Sequence, residues 1–512
     1  MGRINTNVQS MIAQRVLGQN NLSLGNSLER LSTGLRINRG KDDPAGLIAS
    51  ENLRSEGRAL NQAITNAERA DQVANIAEGG LQEVSGLLTE LQGLITATAS
   101  RAGLSNEERQ ANQLQIDSIL QTIDRVSSAT NFQGMKLLNG NFDFTVSNVA
   151  SGVTDYRVNG AKFSGSSLDV QVLVTTSAQQ AGLFLSAGGS TIDINSTSSF
   201  TIEIGGSKGS RELSFSSGTT LTNIAAAINT FTNVTGVEAA VSGTGLLIKS
   251  KEFGSSEMVK VRVVNSAGIN STSNGDAGTP VRGIYNRQAA AWNSNSTTIA
   301  STFAAATNAV SDTGQNLGAT INGLQATSNG KVARVNSDFL DVEVTLNTST
   351  SQTLGAVGST RTLAITGGGA DFQLASRVDI AGKVSLGIQD VSTRKLGNST
   401  QGFLSSLSSG QTNNVVSNSD LSSAQEIVAE AIKQTSALRG RLGAFQKNTV
   451  GATIRSLGVS IENTAAAQSI VRDADFATET AQLTRSQILV SASTNILALA
   501  NQAPQSALQL LG

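Results

Sequence analysis

The two ends of this chain share a helical spacing that its middle lacks, and that arrangement limits what the whole can fold into. In residues 473–512, small and aliphatic residues recur at alternating steps of three and four: Ala474, Ala477, Ala481, then Leu489, Ala492, Ile496, Leu499 and Ala503. That is the period of a coiled-coil seam. It reaches Pro504, beyond which a short apolar tail carries Leu508, Leu510 and Leu511. At the other end Ile4, Val8 and Met11 open a seam that slips near Arg15 and resumes as Leu17, Leu24, Leu28, Leu31 and Leu35. The slip reads as a stutter in one coil. A stripe this narrow cannot be buried within its own segment, so the two ends are expected to pair. A two-helix coil so sparse in large side chains is marginal alone, and contact with further copies of the chain would supply the missing burial.

Inside these seams the pattern is nested. Asp43-Pro44 reopens a helix, with a carboxylate cap followed by proline at the first helical position. Leu60, Ile64, Ala67, Leu81, Val84, Leu88, Leu91 and Ile95 then mark one face of a long helix ending near Gly103. Ser105-x-x-Glu108 is a capping box for a helix whose apolar face is Ile116, Ile119, Ile123 and Val126. After Gly140 the heptads vanish, Ser, Thr, Asn and Gly dominate, and period-two strands take over. They run through Val170–Val174, Phe200–Ile204, Leu213–Phe215, Val237–Val241, Leu246–Ile248, Val259–Val263, Leu340–Leu346 and Phe372–Ile388. Thr219–Phe231 reads as a helix among them, with Leu221, Ile224, Ala225 and Ile228 on one side, and residues 265–319 read as irregular or a linker. The helical period returns at Leu421, where Ser422-x-x-Gln425 resembles a second capping box. Val428, Ala431, Thr435, Leu438, Leu442, Phe445, Thr449 and Ala452 follow, and Ile454, Leu457 and Ile461 carry the stripe onward.

The fold class expected is multidomain: an α-helical coiled-coil and bundle core drawn from both termini, all-α limbs with a β-hairpin, and central β-rich α+β outer domains. The expected divisions are a terminal coil of 1–43 with 472–512, a bundle with β-hairpin of 44–185 with 400–471, an αβ module of 186–265, and a second β-rich region of 266–399.

Composition narrows the chemistry. The chain has 512 residues, too many for one core, and only 4% aromatic residues, so packing rests on Ala, Leu, Ile and Val. It has no cysteine and no histidine. Disulfides, thiolate zinc sites, Ser-His-Asp triads and HExxH sites are thereby removed, and neither an enzyme nor a bound cofactor or metal is expected. A net charge of −1 gives no footprint for nucleic acid, and no segment approaches a membrane span. The opening MGRINTNVQS lacks a signal-peptide core, so a chain that leaves the cell would need a route without a cleaved signal. GGSKGS at 205–210 lacks the spacing of a phosphate loop and reads as a hairpin turn, and GGG at 367–369 as a loop. The acidic clusters at Asp42-Asp43 and Asp473/Asp475 read as helix caps rather than metal ligands.

The terminal motifs resemble bacterial flagellin. INTNV at Ile4–Val8, LSTGLRIN at Leu31–Asn38, KDDPAG at Lys41–Gly46, QAITNAERA, AEGGLQEV and NFQGMKLLNG at Asn131–Gly140 are similar to the family's N-terminal region. RLGAFQ (Arg441–Gln446), DADFATE (Asp473–Glu479), SQIL (Ser486–Leu489) and ANQAPQSALQLL (Ala500–Leu511) follow in the same order as at its C-terminal end. Residues Thr201–Asn229 and Ala319–Leu346 resemble the αβ module inserted in some flagellins and hook-associated proteins, and Phe372–Gly397 resembles the stretch leading back to the helical core.

The resemblance implies a structural subunit of the bacterial flagellar filament, extracellular, exported unfolded through the type III apparatus with an export chaperone. Other copies of the chain and other flagellins would be its partners, together with the filament cap and hook-junction proteins. On that reading Ile4, Val8, Met11, Leu24, Leu28, Leu31, Leu35, Leu489, Ala492, Ile496, Leu499, Ala503, Leu508 and Leu511 form the seam and subunit-assembly surface. The family commonly carries an epitope for a vertebrate innate immune receptor centred on an arginine. The matching position here is Glu90, with Leu94 retained and Gln115 at the family's acidic position. Two other readings stand beside the filament subunit: a hook–filament junction protein, and a surface adhesin or glycan-binding protein acting through the central β domains.

Overall fold

The computed structural model describes residues 6–100, 103–192, 194, 199–269, 282–286, 299–418 and 420–509, with side chains described to 502. Its helices are α1 (Val8–Thr33), α2 (Pro44–Thr98), α3 (Asn106–Ala129), α4 (Leu221–Thr230), the short α5 (Thr232–Thr235) and α6 (Thr348–Gln352), α7 (Ser422–Ala444), α8 (Gly451–Arg472) and α9 (Phe476–Gln509). Strands fill the chain between α3 and α7. The chain divides into two compact units. One comprises Met1–Ala74, Phe372–Lys383 and Leu442–Gly512, the other Asn75–Asp371 and Val384–Arg441.

In the first unit α1 pairs with α9, while Leu60 and Ala63 of α2 pack against Leu457 of α8 with Ile64 and Ile461 alongside. Arg472 on α8 reaches Glu51 on α2 at 3.0 Å. The caps are local and legible. The Asp43 carboxylate accepts the Gly46 N–H at 2.9 Å, and the Asp475 carboxylate accepts the N–H groups of Ala477 and Thr478. Each fills donors that a helix start leaves open. Asp42 instead folds the turn before α2 by accepting from Asn38 and Arg39. Between α7 and α8 the chain forms one π-helical segment, Phe445–Val450. It inserts an extra residue into the helical count. The stripe therefore passes from Leu442 and Phe445 to buried Val450 rather than to Thr449, which is why strict three-four spacing fails there.

The second unit holds the remainder of α2, α3, most of α7 and the β region. Leu81, Val84, Leu88, Leu91 and Ile95 are fully buried along α2, as are Ile116 and Ile123 on α3 and Val428 and Ala431 on α7. The capping box at Ser105 forms as expected. The one expected at Ser422 does not: Ser422 is already helical, and the Asp420 carboxylate accepts its N–H at 2.9 Å. Polar side chains of α3 hold the return segment. Gln113 donates to the Leu407 carbonyl and accepts from the Val415 N–H, each at 2.9 Å. Asp124 accepts both the N–H and the hydroxyl of Thr393.

The β region closes around two apolar clusters. One joins a five-stranded antiparallel sheet (order Val237–Ser242, Gly245–Ser250, Gly182–Ser186, Gly283–Asn286, Ile299–Ser301) and a four-stranded sheet (Val310–Thr313, Met258–Asn265, Phe200–Gly206, Ser210–Phe215). Into it α4 turns Leu221, Ile224, Ala225 and Ile228, the four residues expected from the sequence. GGSKGS forms the hairpin between Phe200–Gly206 and Ser210–Phe215. Gly206 is obligatory there, since a Cβ would stand 2.3 Å from the Thr235 carbonyl oxygen. The second cluster gathers Val158, Val170, Val172 and Val174 with Ile321, Val335, Val342, Val344 and Ile365. In its strand Leu340–Leu346 burial alternates residue by residue, as period two requires.

Two readings of this region change. Residues 265–319 are not a plain linker, because Ile284, Tyr285, Phe303 and Ala306 are buried and three strands lie wholly within its described residues; the pattern is too short per strand to show as alternation. The apolar clusters also do not follow the 185/186 and 265/266 divisions. The first begins at Ala181 and takes in Ile284 and Phe303, and the second joins residues 144–178 and Phe253 to 317–365.

Burial also perturbs charges in the second unit. It pushes the Asp143 carboxyl above its ordinary range, against the Phe144 N–H it accepts and the nearby Arg441 and Lys395, and it pushes the Arg441 guanidinium down to about 10. A carboxyl whose pKa is raised by folding favours the folded state below the ordinary carboxylate range, and that contribution is lost as pH rises through the raised value. Asp143→Asn keeps an acceptor for Phe144 and removes the charge. It is expected to raise the thermal midpoint at neutral pH, with the gain disappearing in acid. Thermal unfolding at both pH values tests this, and an equal shift at both would contradict it.

Candidate assembly surface

The seam between α1 and α9 is antiparallel. Asn7 lies by Ala500, Asn20 by Ser493, and Arg30 by Glu479 at 3.8 Å. Where the two helices' inner ends meet, Leu35 bridges to Asp473, and the Ala474 N–H donates to the Gly34 carbonyl at 2.9 Å. The residues turned inward on α1 are Ser10, Ala13, Leu17, Asn20, Leu24, Ser27 and Leu31; on α9 they are Leu483, Ser486, Val490, Ser493, Leu497 and Ala500. Both lines keep alternating three-four steps without interruption, so the slip near Arg15 does not exist. What looked like a stutter is a seam whose alternate positions hold serine, alanine and asparagine, residues that a search for large apolar side chains passes over. Small residues let the two backbones approach. They leave little hydrophobic burial, and polar bonds take part of the load: Asn20 Nδ2 donates to Ser493 Oγ at 2.7 Å, and Ser10 Oγ donates to Asn501 Oδ1 at 2.7 Å.

The expected seam residues divide accordingly. Leu24, Leu31 and Leu35 are half-buried along the α1–α9 pairing. Val8, Met11 and Leu28 stand exposed on α1, and Leu489, Ala492, Ile496 and Leu499 on α9. As an intrachain seam the α9 set therefore needs correction. The helix carries two apolar stripes, and α1 takes the one interleaved with serines, since only that stripe offers both close approach and polar partners. Ile4 and the side chains of Ala503, Leu508 and Leu511 lie outside the described residues.

The result is a surface of a kind soluble single chains avoid. Leu22 on α1 is 71% exposed, Leu499 on α9 69% and Ile470 on α8 80%. Ile12, Val16, Val459, Phe476 and Ile488 are exposed as well. No helix among the described residues is long and apolar enough to cross a membrane. Of the three residues matched by resemblance to the family's receptor epitope, Glu90 and Gln115 are exposed and Leu94 is half-buried, all in the second unit.

Comparison with known proteins agrees with this layout. Residues 4–143 match the bacterial flagellin N-terminal helical region, 425–511 the bacterial flagellin C-terminal helical region, and 199–252 the flagellin hook IN motif. Flagellin of Salmonella choleraesuis (strain SC-B67) is 27% identical over 540 residues, covering 99% of each chain. The flagellar filament 33 kDa core protein of Treponema phagedenis is 42% identical over 139 residues, 27% of this chain and 48% of that one. Among solved structures, the D1-D2-D3 domains of the Escherichia coli flagellar cap protein FliD match at a TM-score of 0.27 and 20% identity, covering 48% of this chain and 65% of that one, which is too slight to carry an argument. The helical regions at both ends, in their order and around an inserted motif, together with likeness to flagellin along the full chain, make this a member of the bacterial flagellin family.

Proposed function

We propose that this flagellin is exported unfolded and that its terminal helices complete their burial against neighbouring copies as the filament grows. As a flagellin it is a structural subunit of the flagellar filament, outside the cell. The observation that supports the assembly reading is the second apolar stripe, Ile488, Leu489, Ile496 and Leu499, which stays exposed after α1 has taken the first. A coil with a thin seam and an uncovered stripe gains most of its burial from other chains, so ordering and association are coupled. Contacts that do not close on themselves give a helical polymer. The assembly residues named from the sequence, exposed Val8, Met11, Leu28, Leu489, Ala492, Ile496 and Leu499 among them, would be the intersubunit side of this surface. The same surface would meet an export chaperone before assembly, and cap and hook-junction proteins at the two ends of the filament. A chain without cysteine also suits passage in the unfolded state without cross-linking.

A glycan-binding role through the central β domains is compatible with the filament role.

A chain trimmed to residues 44–471 is expected to stay folded, with cooperative thermal unfolding and less helical circular-dichroism signal, and to form no filaments; normal filament growth from it would refute the assembly reading. Within the full chain, Ile496→Lys puts a charge on the uncovered stripe. Losing a fully buried aliphatic side chain costs about 1.5–3 kcal/mol, so the critical concentration for polymerisation should rise by at least about tenfold, as measured by sedimentation. Glu90 reverses the charge of the arginine central to the family's immune epitope, and a reversal at a hot spot is strongly unfavourable. The purified protein is accordingly expected to be a poor activator of that receptor in a cell reporter assay, and strong activation would count against the assignment.

A further inference from the structure

The apolar part of the terminal coil does not specify its own alignment. Leu17, Leu24 and Leu31 repeat at one seam position of α1, and Leu483, Val490 and Leu497 repeat on α9, with small residues between them on both helices. Sliding either helix by one heptad lays the same kinds of side chain along one another again. Coils of this sort need a polar group to break the degeneracy. The Asn20–Ser493 bond does so in one direction only. A slip one way brings Asn20 to Ala500, and a slip the other way brings it to Ser486, a second serine.

Asn7 rejects the slip that Asn20 tolerates, and the reason is covalent. Its Oδ1 accepts the Ser10 N–H at 3.0 Å and so caps α1. Its Nδ2 donates to the Ala500 carbonyl at 2.7 Å. That carbonyl stands four residues before Pro504, inside α9. Proline has no N–H, so the helical partner that Ala500 would otherwise have is missing. The chain has 3 prolines, and Pro504 alone falls in α9. One carbonyl in the interior of the helix is thus left open, and Asn7 fills it. The slip that Asn20 tolerates would set Asn7 against the Ser493 carbonyl, which the helix already occupies; the opposite slip carries Asn7 to the last turn of α9, where carbonyls are open anyway, and that is the slip Asn20 rejects.

We infer that Asn7 and Pro504 together lock the axial register of the α1–α9 coil at its outer end, far from the Gly34–Ala474 bond that ties the inner end, the proline by opening a single carbonyl and the asparagine by reading it. This deepens the filament reading and rests on it, since the register of the coil fixes where the uncovered stripe of α9 stands relative to the exposed residues of α1.

The test uses the cysteine-free background. Spin labels at Gln14→Cys and Gln482→Cys, both exposed and well separated along the coil, are read by pulsed dipolar spectroscopy in filaments diluted with unlabelled parent chain. A one-heptad slip moves the labels by roughly 10 Å along the axis. Asn7→Ser keeps a good helix cap but is too short to reach Ala500. Pro504→Ala restores the helix's own donor and leaves Asn7 intact. Each is expected to add a second distance population displaced by roughly 10 Å, and the double variant should add no more than either alone. If both variants retain the single distance of the parent, the register role is refuted while the filament reading stands. If the parent chain forms no filaments, it is the filament reading that fails.

Discussion

The antiparallel pairing of α1 with α9 is the contact on which the rest of the molecule depends. It brings together segments almost the whole chain apart, so everything between Gly34 and Ala474 must leave and come back. The pairing is thin by composition. Serine, alanine and asparagine occupy alternate seam positions, and that choice has two effects. Backbones come close enough for side chain to carbonyl bonds such as Asn7 to Ala500, and the larger aliphatic residues of α9 are displaced to its far side. A helix pair that buries its small residues and exposes Leu499 and Ile496 is under-satisfied as a single chain and well suited to a polymer.

The β region follows the opposite logic. Each of its two clusters closes on side chains of its own strands, with residues such as Ile202, Val261, Val342 and Leu346 fully buried. Alternation places one face of a strand inward and leaves the other to polar and charged residues such as Lys260, Arg262, Asp341 and Glu343. Such a region can fold without help from a neighbour, so what it presents to solvent is free to serve other ends than assembly. Between these extremes the α3 side chains Gln113 and Asp124 show how a return segment with only a short hairpin and one 3-10 turn of its own is held. Polar side chains on a rigid helix satisfy backbone groups that would otherwise be buried without partners.

Much of this was legible beforehand. The capping box at Ser105, the caps at Asp43 and Asp475, the four buried residues of α4 and the alternation of Leu340–Leu346 are local signals, and local signals survive folding. The seam was legible as to its place and period but not its face. Leu489, Ala492, Ile496 and Leu499 keep a three-four spacing, and so do Leu483, Ser486, Val490, Ser493 and Leu497; periodicity alone ranks the more apolar line first. Thr449 was misplaced because a π-helical turn adds a residue without leaving a mark in the residue types. The strands within 265–319 were hidden because each is too short to establish a period.

The sequence by itself determined the types of the long elements, most of the helix caps, the pairing of the two ends and the family. Each of these rests on spacing along one segment or on motif order, and neither needs a partner to be read. Only the tertiary structure decided which stripe of α9 meets α1, where the two β cores divide, and that Asn7 answers the carbonyl freed by Pro504. Those outcomes depend on what a side chain finds across the gap. Hydrophobicity ranks faces by how much they gain from burial, whereas close packing and hydrogen bonding decide which face a particular neighbour can accept.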